Sequence, residues 1–428
     1  MPIRLDKIPP LALRPQRPRF LLWLGLLLLF CLLGTGGTLL FGDETLPQRP
    51  SDFWRMALSI PILVWCVLGF GRVLLHVGQQ GAADGWDEAR EVDMIRKIRQ
   101  GRRSQQVLAV SLQTALRQPE DEPATQLEVL LSGTMALKSQ ASRLDGATLR
   151  HSCLSCDADE NPAAILLSIW AQTLADLAPT LAQLPDDQPL ALLLDTDIGL
   201  PEKQWRRVWR QAWRESGIRQ CIEPVDGSGL AALDQWLDQR IGDRALLLVL
   251  AVQFAPQQPE GTAEAAVGLL FGNRLTQTTL APIAYIHRPE QERKPTADDL
   301  LYATRQALDW VPLESTSIER VWRVGIDAQR AVAIASVLSE VPMPVNKTGL
   351  CNLDAMLGHP GCASPWLAIA AGTQATARGV GPQFIFSGGG AAAGLWGAVL
   401  MPVSPLVTSK NVIVRLIGKP GSCRTVLG

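Results

Sequence analysis

The sequence lacks the motifs that mark the common nucleotide-dependent and hydrolytic enzymes. It contains no P-loop, no dinucleotide-binding glycine fingerprint, no Gly-x-Ser-x-Gly elbow and no His-Glu-x-x-His motif. It also lacks an excess of basic charge, since 40 Lys and Arg side chains are set against 41 Asp and Glu side chains. Nucleic acid binds through a basic footprint, so this near-neutral balance argues against a nucleic-acid partner.

Cysteine is present without the pattern of a disulfide framework or a metal site. The eight cysteines have irregular spacing, which fits a reducing compartment. Cys153 and Cys156, with His151 nearby, lack the second ligand pair that a zinc site needs. Asp195 and Asp197 stand where a strand runs into a turn, and turn and capping roles explain them. We therefore predict no metal and no cofactor.

Two long apolar runs lie near the N-terminus, over 20–41 and 56–75. Each is long enough to cross a hydrocarbon core roughly 30 Å thick. A cleaved signal peptide would explain the first run, but a second run follows at once. We therefore predict that residues 20–78 form two transmembrane helices joined by a short periplasmic loop.

The distribution of basic residues predicts the orientation of these spans, because Lys and Arg near a span resist translocation. The loop between the runs is mostly acidic, which places it outside the cytoplasm. Residues 1–19 would form a cytoplasmic segment, residues 79–104 a juxtamembrane linker helix, and residues 105–428 a cytoplasmic domain. The basic residues that flank the two runs are Arg4, Lys7, Arg14, Arg17, Arg19, Arg90, Arg96, Lys97, Arg99, Arg102 and Arg103.

Beyond residue 105 apolar runs of strand length alternate with amphipathic stretches, the pattern of a layered α/β domain. Strands are predicted at 107–112, 190–194, 245–252, 265–271, 283–286, 321–326 and 384–386. Helices are predicted at 162–184, 202–215, 230–240, 297–308, 328–339 and 366–376.

Three segments of this domain share features with one enzyme family. Residues 354–365, Asp-Ala-Met-Leu-Gly-His-Pro-Gly-Cys-Ala-Ser-Pro, resemble the Lys-Ser-x-x-Gly-His-x-x-Gly loop of β-ketoacyl synthases, in the thiolase superfamily. Residues 384–401 are similar to the Gly-rich loop and closing strand of that fold, and residues 226–233 to its nucleophile elbow and helix. The resemblance implies a layered α/β/α/β/α fold behind the two transmembrane helices. It also implies a homodimer formed through an edge strand.

The family's condensing residues are mostly replaced in this chain. Asp226 occupies the position of the nucleophilic cysteine, where a carboxylate cannot form a thioester and would serve as a helix N-cap. The stretch that would carry a first active-site His, 319–329, contains none. The second His corresponds to His359, preceded by Asp354 in place of a Lys. We predict a vestigial pocket of Asp226, His359 and Asp354, with backbone roles for the glycines Gly358, Gly361, Gly388, Gly389 and Gly390.

The helix predicted at 202–215 has an unusual surface. Trp205, Trp209 and Trp213 recur every four residues along one face, and Arg206 and Arg210 stand beside them. One interpretation is a helix packed on the domain through its tryptophans. The other is a docking surface for the inner membrane leaflet or for a protein partner, because Trp and Arg dominate interface hot spots.

Two functions follow from these observations. The first is a bacterial inner-membrane protein whose cytoplasmic domain has lost the condensing residues and acts as a protein-binding adaptor or scaffold. Proteins of this kind are similar to accessory proteins of type VI secretion, which would make the partner a secreted effector or a secretion component. The second is a membrane-bound acyltransferase or thioester-handling enzyme that uses His359 with a non-standard nucleophile.

Overall fold

The computed structural model describes residues 3, 5, 7–41, 50–118, 125–144, 146–154, 161–343, 349–388 and 394–403. The chain divides into two compact units, one of residues 3–99 and the other beginning at Gln100.

The first unit contains two long helices, α1 (Phe20–Phe41) and α2 (Pro50–Gly101). The predicted second span and the predicted linker helix are one continuous helix of 52 residues. Within this unit the indole Nε1 of Trp65 donates to the carbonyl oxygen of Trp23 on α1 at 2.9 Å. Both helices are long and apolar enough to cross a membrane, and so is one helix of the second unit, 162–181.

The second unit is a mixed α/β domain. Its strands are β1 (Ser104–Thr114), β2 (Lys138–Ala141), β3 (Thr148–His151), β4 (Leu190–Ile198), β5 (Ile222–Pro224), β6 (Leu246–Phe254), β7 (Ala265–Asn273), β8 (Ala284–His287), β9 (Glu290–Gln291), β10 (Arg320–Val324), β11 (Leu350–Asn352), β12 (Gln383–Ser387) and β13 (Trp396–Pro402). Every predicted strand coincides with one of these. The last strand, β13, corresponds to the closing strand that the resemblance implied, and five short strands were not predicted: β2, β3, β5, β9 and β11.

The helices of this unit are α3 (Thr125–Leu131), α4 (Pro162–Leu181), α5 (Glu202–Glu215), α6 (Gly229–Gln239), α7 (Ala297–Trp310), α8 (Ala328–Glu340), α9 (Leu353–Leu357) and α10 (Ser364–Ala377). Local signals explain several of their starts. Thr296 caps α7 by accepting from the backbone N–H of Asp299, and Asp327 caps α8 by accepting from that of Arg330. All six predicted helices are present, and their ends differ by a few residues.

The main sheet is built from two halves with the same strand order. The sheet runs β11-β10-β12-β13-β8-β1-β7-β6-β4-β5. The first half consists of β1, β4, β5, β6 and β7, and the second of β8, β10, β11, β12 and β13. If the strands of each half are numbered along the chain, their order from the outer edge to the centre of the sheet is third, second, fourth, fifth, first in both halves. Antiparallel pairing of β1 with β8 joins the halves. In each half the fifth strand runs antiparallel to its neighbours, and helices connect the first four strands. The sequence shows no matching repeat.

Three apolar clusters hold these elements together. In the first half α4 and α5 cover one face of the sheet, and in the second half α7 and α8 do so. Between the halves lies a central cluster containing α6 and α10. Almost every side chain of α10 is buried, because this helix packs against strands of both halves.

A buried arginine links α6 to the strands of the second half. Arg288 is fully buried, and its guanidinium lies 2.7 Å from a carboxylate oxygen of Asp234 and 2.7 Å from one of Asp238. Such a buried charge is tolerated only with partners of opposite sign, so these three residues depend on one another.

Candidate functional site

A cleft of about 240 Å³ opens where the start of α6, the start of α10 and the loop after β12 come together. The three segments that carry the sequence resemblance therefore meet in the folded chain. The residues that line the cleft include Asp195, Ser228, Gln291, Cys362, Ser387 and Trp396.

Asp195, near the end of β4, is the buried carboxylate of this cleft. Its Oδ2 accepts from the backbone N–H of Gly229 at 2.7 Å and from the indole Nε1 of Trp366 at 2.9 Å. Burial raises the pKa of the Asp195 carboxyl, while the bonds from Trp366 and Gly229 act in the opposite direction. Asp195 thus connects β4 to the starts of α6 and α10.

Cys362 brings a thiol into the same cleft. Its Sγ lies 3.4 Å from the carbonyl oxygen of Asp195 and 3.5 Å from that of Val252, and it donates to these acceptors. Burial strongly raises the pKa of the Cys362 thiol, and the carboxylates of Asp195 and Asp197 raise it further. A thiol in this environment stays protonated at neutral pH, whereas a nucleophile requires the thiolate.

Asp226 does not cap α6 as predicted. The helix begins at Gly229, its N-cap residue is Ser228, and Asp226 is exposed in the loop that follows β5. The two residues between Asp226 and the helix include Gly227 with φ of 134°, which turns the chain before the helix starts. Asp226 lines a different depression, beside α5, and is not among the residues of the cleft.

His359 has a backbone role in the structure. Its N–H donates to the carbonyl oxygen of Gly261 at 2.9 Å, and its carbonyl oxygen accepts from the N–H of Ala263 at 3.0 Å. Its imidazole Nδ1 accepts from the N–H of Gly361 at 3.1 Å. The adjacent Gly358 has φ of 97°, and a Cβ there would lie 2.5 Å from the carbonyl oxygen of Thr262. His359 is therefore held in a turn and does not line the cleft.

The carboxylate of Asp354 forms its hydrogen bonds with backbone N–H groups. Its carboxylate accepts from the N–H of Gly325 at 2.8 Å and from that of Ile326 at 3.0 Å. Burial raises the pKa of the Asp354 carboxyl, while these two hydrogen bonds and the charges of His359 and Arg323 oppose the rise. The loop after β10, where the family would carry its first His, is thus anchored by Asp354.

The predicted vestigial pocket is therefore not one site. Asp354 and His359 are close enough to interact electrostatically, but Asp226 is exposed beside a different depression, and none of the three lines the cleft. Gly388 belongs to the cleft, and a Cβ there would collide with the carbonyl oxygen of Gly325. Gly389 and Gly390 lie outside the described residues, as does Cys156. The described part of the chain contains no group of three or more His, Cys, Asp or Glu side chains that could hold a metal ion.

The tryptophans of α5 pack against α4. The rings of Trp209 and Trp205 meet Trp170 edge-on, with centroids 5.2 Å and 6.2 Å apart, and Trp213 lies 5.6 Å from Trp209. Trp209 is only 7% exposed. The domain itself covers part of this indole face, and Trp205 and Trp213 remain partly exposed.

A second depression, of about 810 Å³, lies beside α5 and is called here the α5 groove. Leu192, Leu194 and Thr196 of β4 form its floor. Its walls are Trp205, Arg206, Trp209 and Arg210 on α5, and Ile222, Pro224, Val225 and Asp226 on and after β5. Four of the five binding residues predicted on α5 line this groove, whereas Trp213 does not.

Sequence reasoning missed the residues that occupy the cleft. Asp195 was interpreted only as a turn residue, and its partner Trp366 lies 171 positions away. The one available signal for Cys362 was its place in the Gly-His-Pro-Gly-Cys stretch, three residues after the His that resembles an active-site donor.

Comparison with known proteins identifies the fold of the second unit. No family model matches the sequence. No curated protein matches it either. Among solved structures, the ketosynthase from module 1 of the bacillaene synthase of Bacillus amyloliquefaciens is similar with a TM-score of 0.50 and 11% identity, over 73% of this chain and 75% of that chain. A β-ketoacyl synthase from Burkholderia phymatum gives 0.49 and 11%, over 71% of this chain and 100% of that chain. The domain has a ketosynthase-like α/β fold, which confirms this part of what the sequence resemblance implied. At this identity the likeness establishes the fold alone.

Proposed function

We propose that this protein is a membrane-anchored adaptor whose ketosynthase-like domain binds protein partners and does not condense acyl groups. One observation carries the proposal. The cleft at the start of α6 contains one thiol, Cys362, which is partly buried and donates to backbone carbonyls, and none of the described residues that line this cleft is a His or Lys. Condensation requires a thiolate and donors for the thioester oxyanion, so this cleft is unsuited to it.

Three further parts of the proposal concern location and assembly. The helices α1 and α2 would anchor the chain in a bacterial inner membrane, with both termini and the α/β domain in the cytoplasm. The partner would be a secreted effector or a component of type VI secretion. The chain would form a homodimer through a strand at the edge of the sheet, as the family resemblance implies.

The catalytic part of the proposal is tested with the detergent-solubilised full chain. The protein is incubated with acyl-CoA and with acyl carrier protein, and its intact mass is measured. We expect no covalent adduct with either donor. An acyl group on any cysteine would overturn the adaptor function.

One observation favours the alternative of a thioester-handling enzyme. Cys362 lies in the cleft three residues after His359, next to the start of α10. In this case the adduct would form on Cys362 and would be lost in the Cys362→Ser variant. A His359→Ala variant would also lose adduct formation without a loss of thermal stability. The adaptor function predicts an effect of His359→Ala only where the fold is destabilised.

A further inference from the structure

The α5 groove lies on the outer face of the sheet, where layered α/β domains place helices. Leu192, Leu194 and Thr196 alternate along β4, so their side chains share this face. Leu194 and Thr196 are only partly buried, as are Trp205 and Ile222 on the two walls. The groove thus presents an apolar floor that the described residues cover incompletely.

The two walls carry opposite charges. Arg206 and Arg210 on α5 are exposed, and Asp226 is exposed on the wall across from them. The Arg206 guanidinium lies over the Trp205 ring, 5.4 Å from its centroid, and 2.7 Å from Glu202. These charges sit at the rim of an apolar floor, an arrangement that selects a partner by charge and binds it by burial of apolar surface.

The sheet edge beside the groove is poorly suited to adding a strand. β5 has three residues, and Pro224 removes a donor from them. A segment entering the groove would therefore be held through its side chains. A helix meets this requirement, because its own backbone groups are already paired.

We propose that the α5 groove binds an amphipathic helix of a protein partner. This helix carries Asp or Glu on the side that faces Arg206 and Arg210, apolar side chains over Leu194 and Trp205, and Lys or Arg on the side that faces Asp226. The inference rests on the proposed adaptor function and deepens it by naming the surface and the chemistry of the partner.

The test places a photocrosslinking residue on the groove floor of the full chain in its native membrane. Thr196→p-benzoylphenylalanine is the first position, and Ile222 is the second in case the first variant does not fold. Arg207, exposed on α5 outside the groove, is the control position. We expect a protein adduct from the groove positions only, with the crosslinked peptide mapping to an acidic amphipathic stretch of another protein.

A matched pair of charge reversals on one helix completes the test. Arg206→Glu with Arg210→Glu alters the groove, while Arg207→Glu with Arg214→Glu makes the same charge change on exposed residues outside it. We expect the groove pair to lower adduct yield at least tenfold and the control pair to change it less than twofold. Both pairs are compared with the parent by circular dichroism, so that misfolded variants are replaced by single substitutions.

Four results would overturn the inference: an adduct with a second copy of this chain, an adduct with lipid, no adduct at all, or an equal loss in both charge-reversed pairs. Its failure can be distinguished from failure of the adaptor function. Acylation of Cys362 with a normal crosslink refutes the adaptor function and leaves the groove standing. Absence of acylation with a failed crosslink refutes the groove alone.

Discussion

Glu290, which is buried, and His287, which is partly buried, are expected to make opposite contributions to the pH dependence of stability. Glu290 is 2% exposed and accepts from the indole Nε1 of Trp310 at 2.7 Å. Burial raises the pKa of the Glu290 carboxyl to about 7, although Trp310 and Arg288 favour its ionised form. Burial, together with nearby Arg274, lowers the pKa of His287 to about 4.

The signs follow from which state of the chain binds the proton. Between an unfolded pKa of 4.5 and a folded pKa of about 7, Glu290 is ionised only in the unfolded chain, so its contribution to stability falls as pH rises. Between a folded pKa of about 4 and an unfolded pKa of 6.5, His287 is protonated only in the unfolded chain, so its contribution rises with pH. Each difference corresponds to roughly 3 kcal/mol. The two contributions therefore nearly cancel between about pH 4.5 and 6.5.

The Glu290→Gln variant removes the contribution of Glu290 to the pH dependence and leaves that of His287. The free energy of unfolding of this variant minus that of the parent should increase by roughly 3 kcal/mol as the pH rises from about 4.5 to 7. The His287→Asn variant should show a relative change of similar size and opposite sign between about pH 4 and 6.5. The measurement is urea unfolding of the full chain in detergent at several pH values, followed by tryptophan fluorescence. Glu314→Gln, at an exposed position, is the matched control. A Glu290→Gln curve parallel to that of the parent would refute the reasoning.

Three other substitutions test the contacts described above. Asp195→Ala should lower the free energy of unfolding by about 1–3 kcal/mol, because it removes the acceptor of the Gly229 N–H and the Trp366 indole. Asp195→Asn should lower it less, and equal losses in the two variants would contradict this explanation. Gly358→Ala should lower the thermal midpoint and reduce the free energy of unfolding by roughly 1–3 kcal/mol, because the φ of this position is unfavourable for alanine and the added Cβ would approach the Thr262 carbonyl oxygen. An unchanged midpoint would show that the turn relaxes. Arg288→Met should lower the free energy of unfolding, measured with a chemical denaturant, by roughly 3–5 kcal/mol, because it removes the Arg288 charge beside the buried Asp234 carboxylate. Adding Asp234→Leu should restore part of this free energy, and the absence of any recovery would argue against the pairing of Arg288 with Asp234.

Periodic segments allowed much of the fold to be predicted from sequence. The amphipathic pattern at 202–215 matches α5, and the continuous apolar runs at 245–252 and 265–271 match buried strands β6 and β7. Short elements escaped prediction because three or four residues, as in β5 and β11, carry too little periodicity. The predicted second span and the predicted linker helix are both helical and continuous, because a polar helix can continue an apolar one without a break in backbone hydrogen bonding.

The candidate site could be predicted only in outline. Motif matching found the segments that converge on the cleft, because these segments carry glycines and turn residues at the spacing of the family pattern. It assigned roles to Asp226, His359 and Asp354 from their positions in the family pattern. The structure shows that two of them bind backbone groups and that the third is exposed, facts that depend on contacts far apart in the chain. The pairing of Asp195 with Trp366 likewise has no local signature.

The shared strand order of the two halves limits how the domain can come apart. Each half has its own outer helices, but α6 and α10 lie in a single apolar cluster between them. An isolated half would expose one side of that cluster to water, and exposed apolar surface of this extent promotes association. We therefore expect that neither half folds alone, and that melting of the domain is cooperative across both halves.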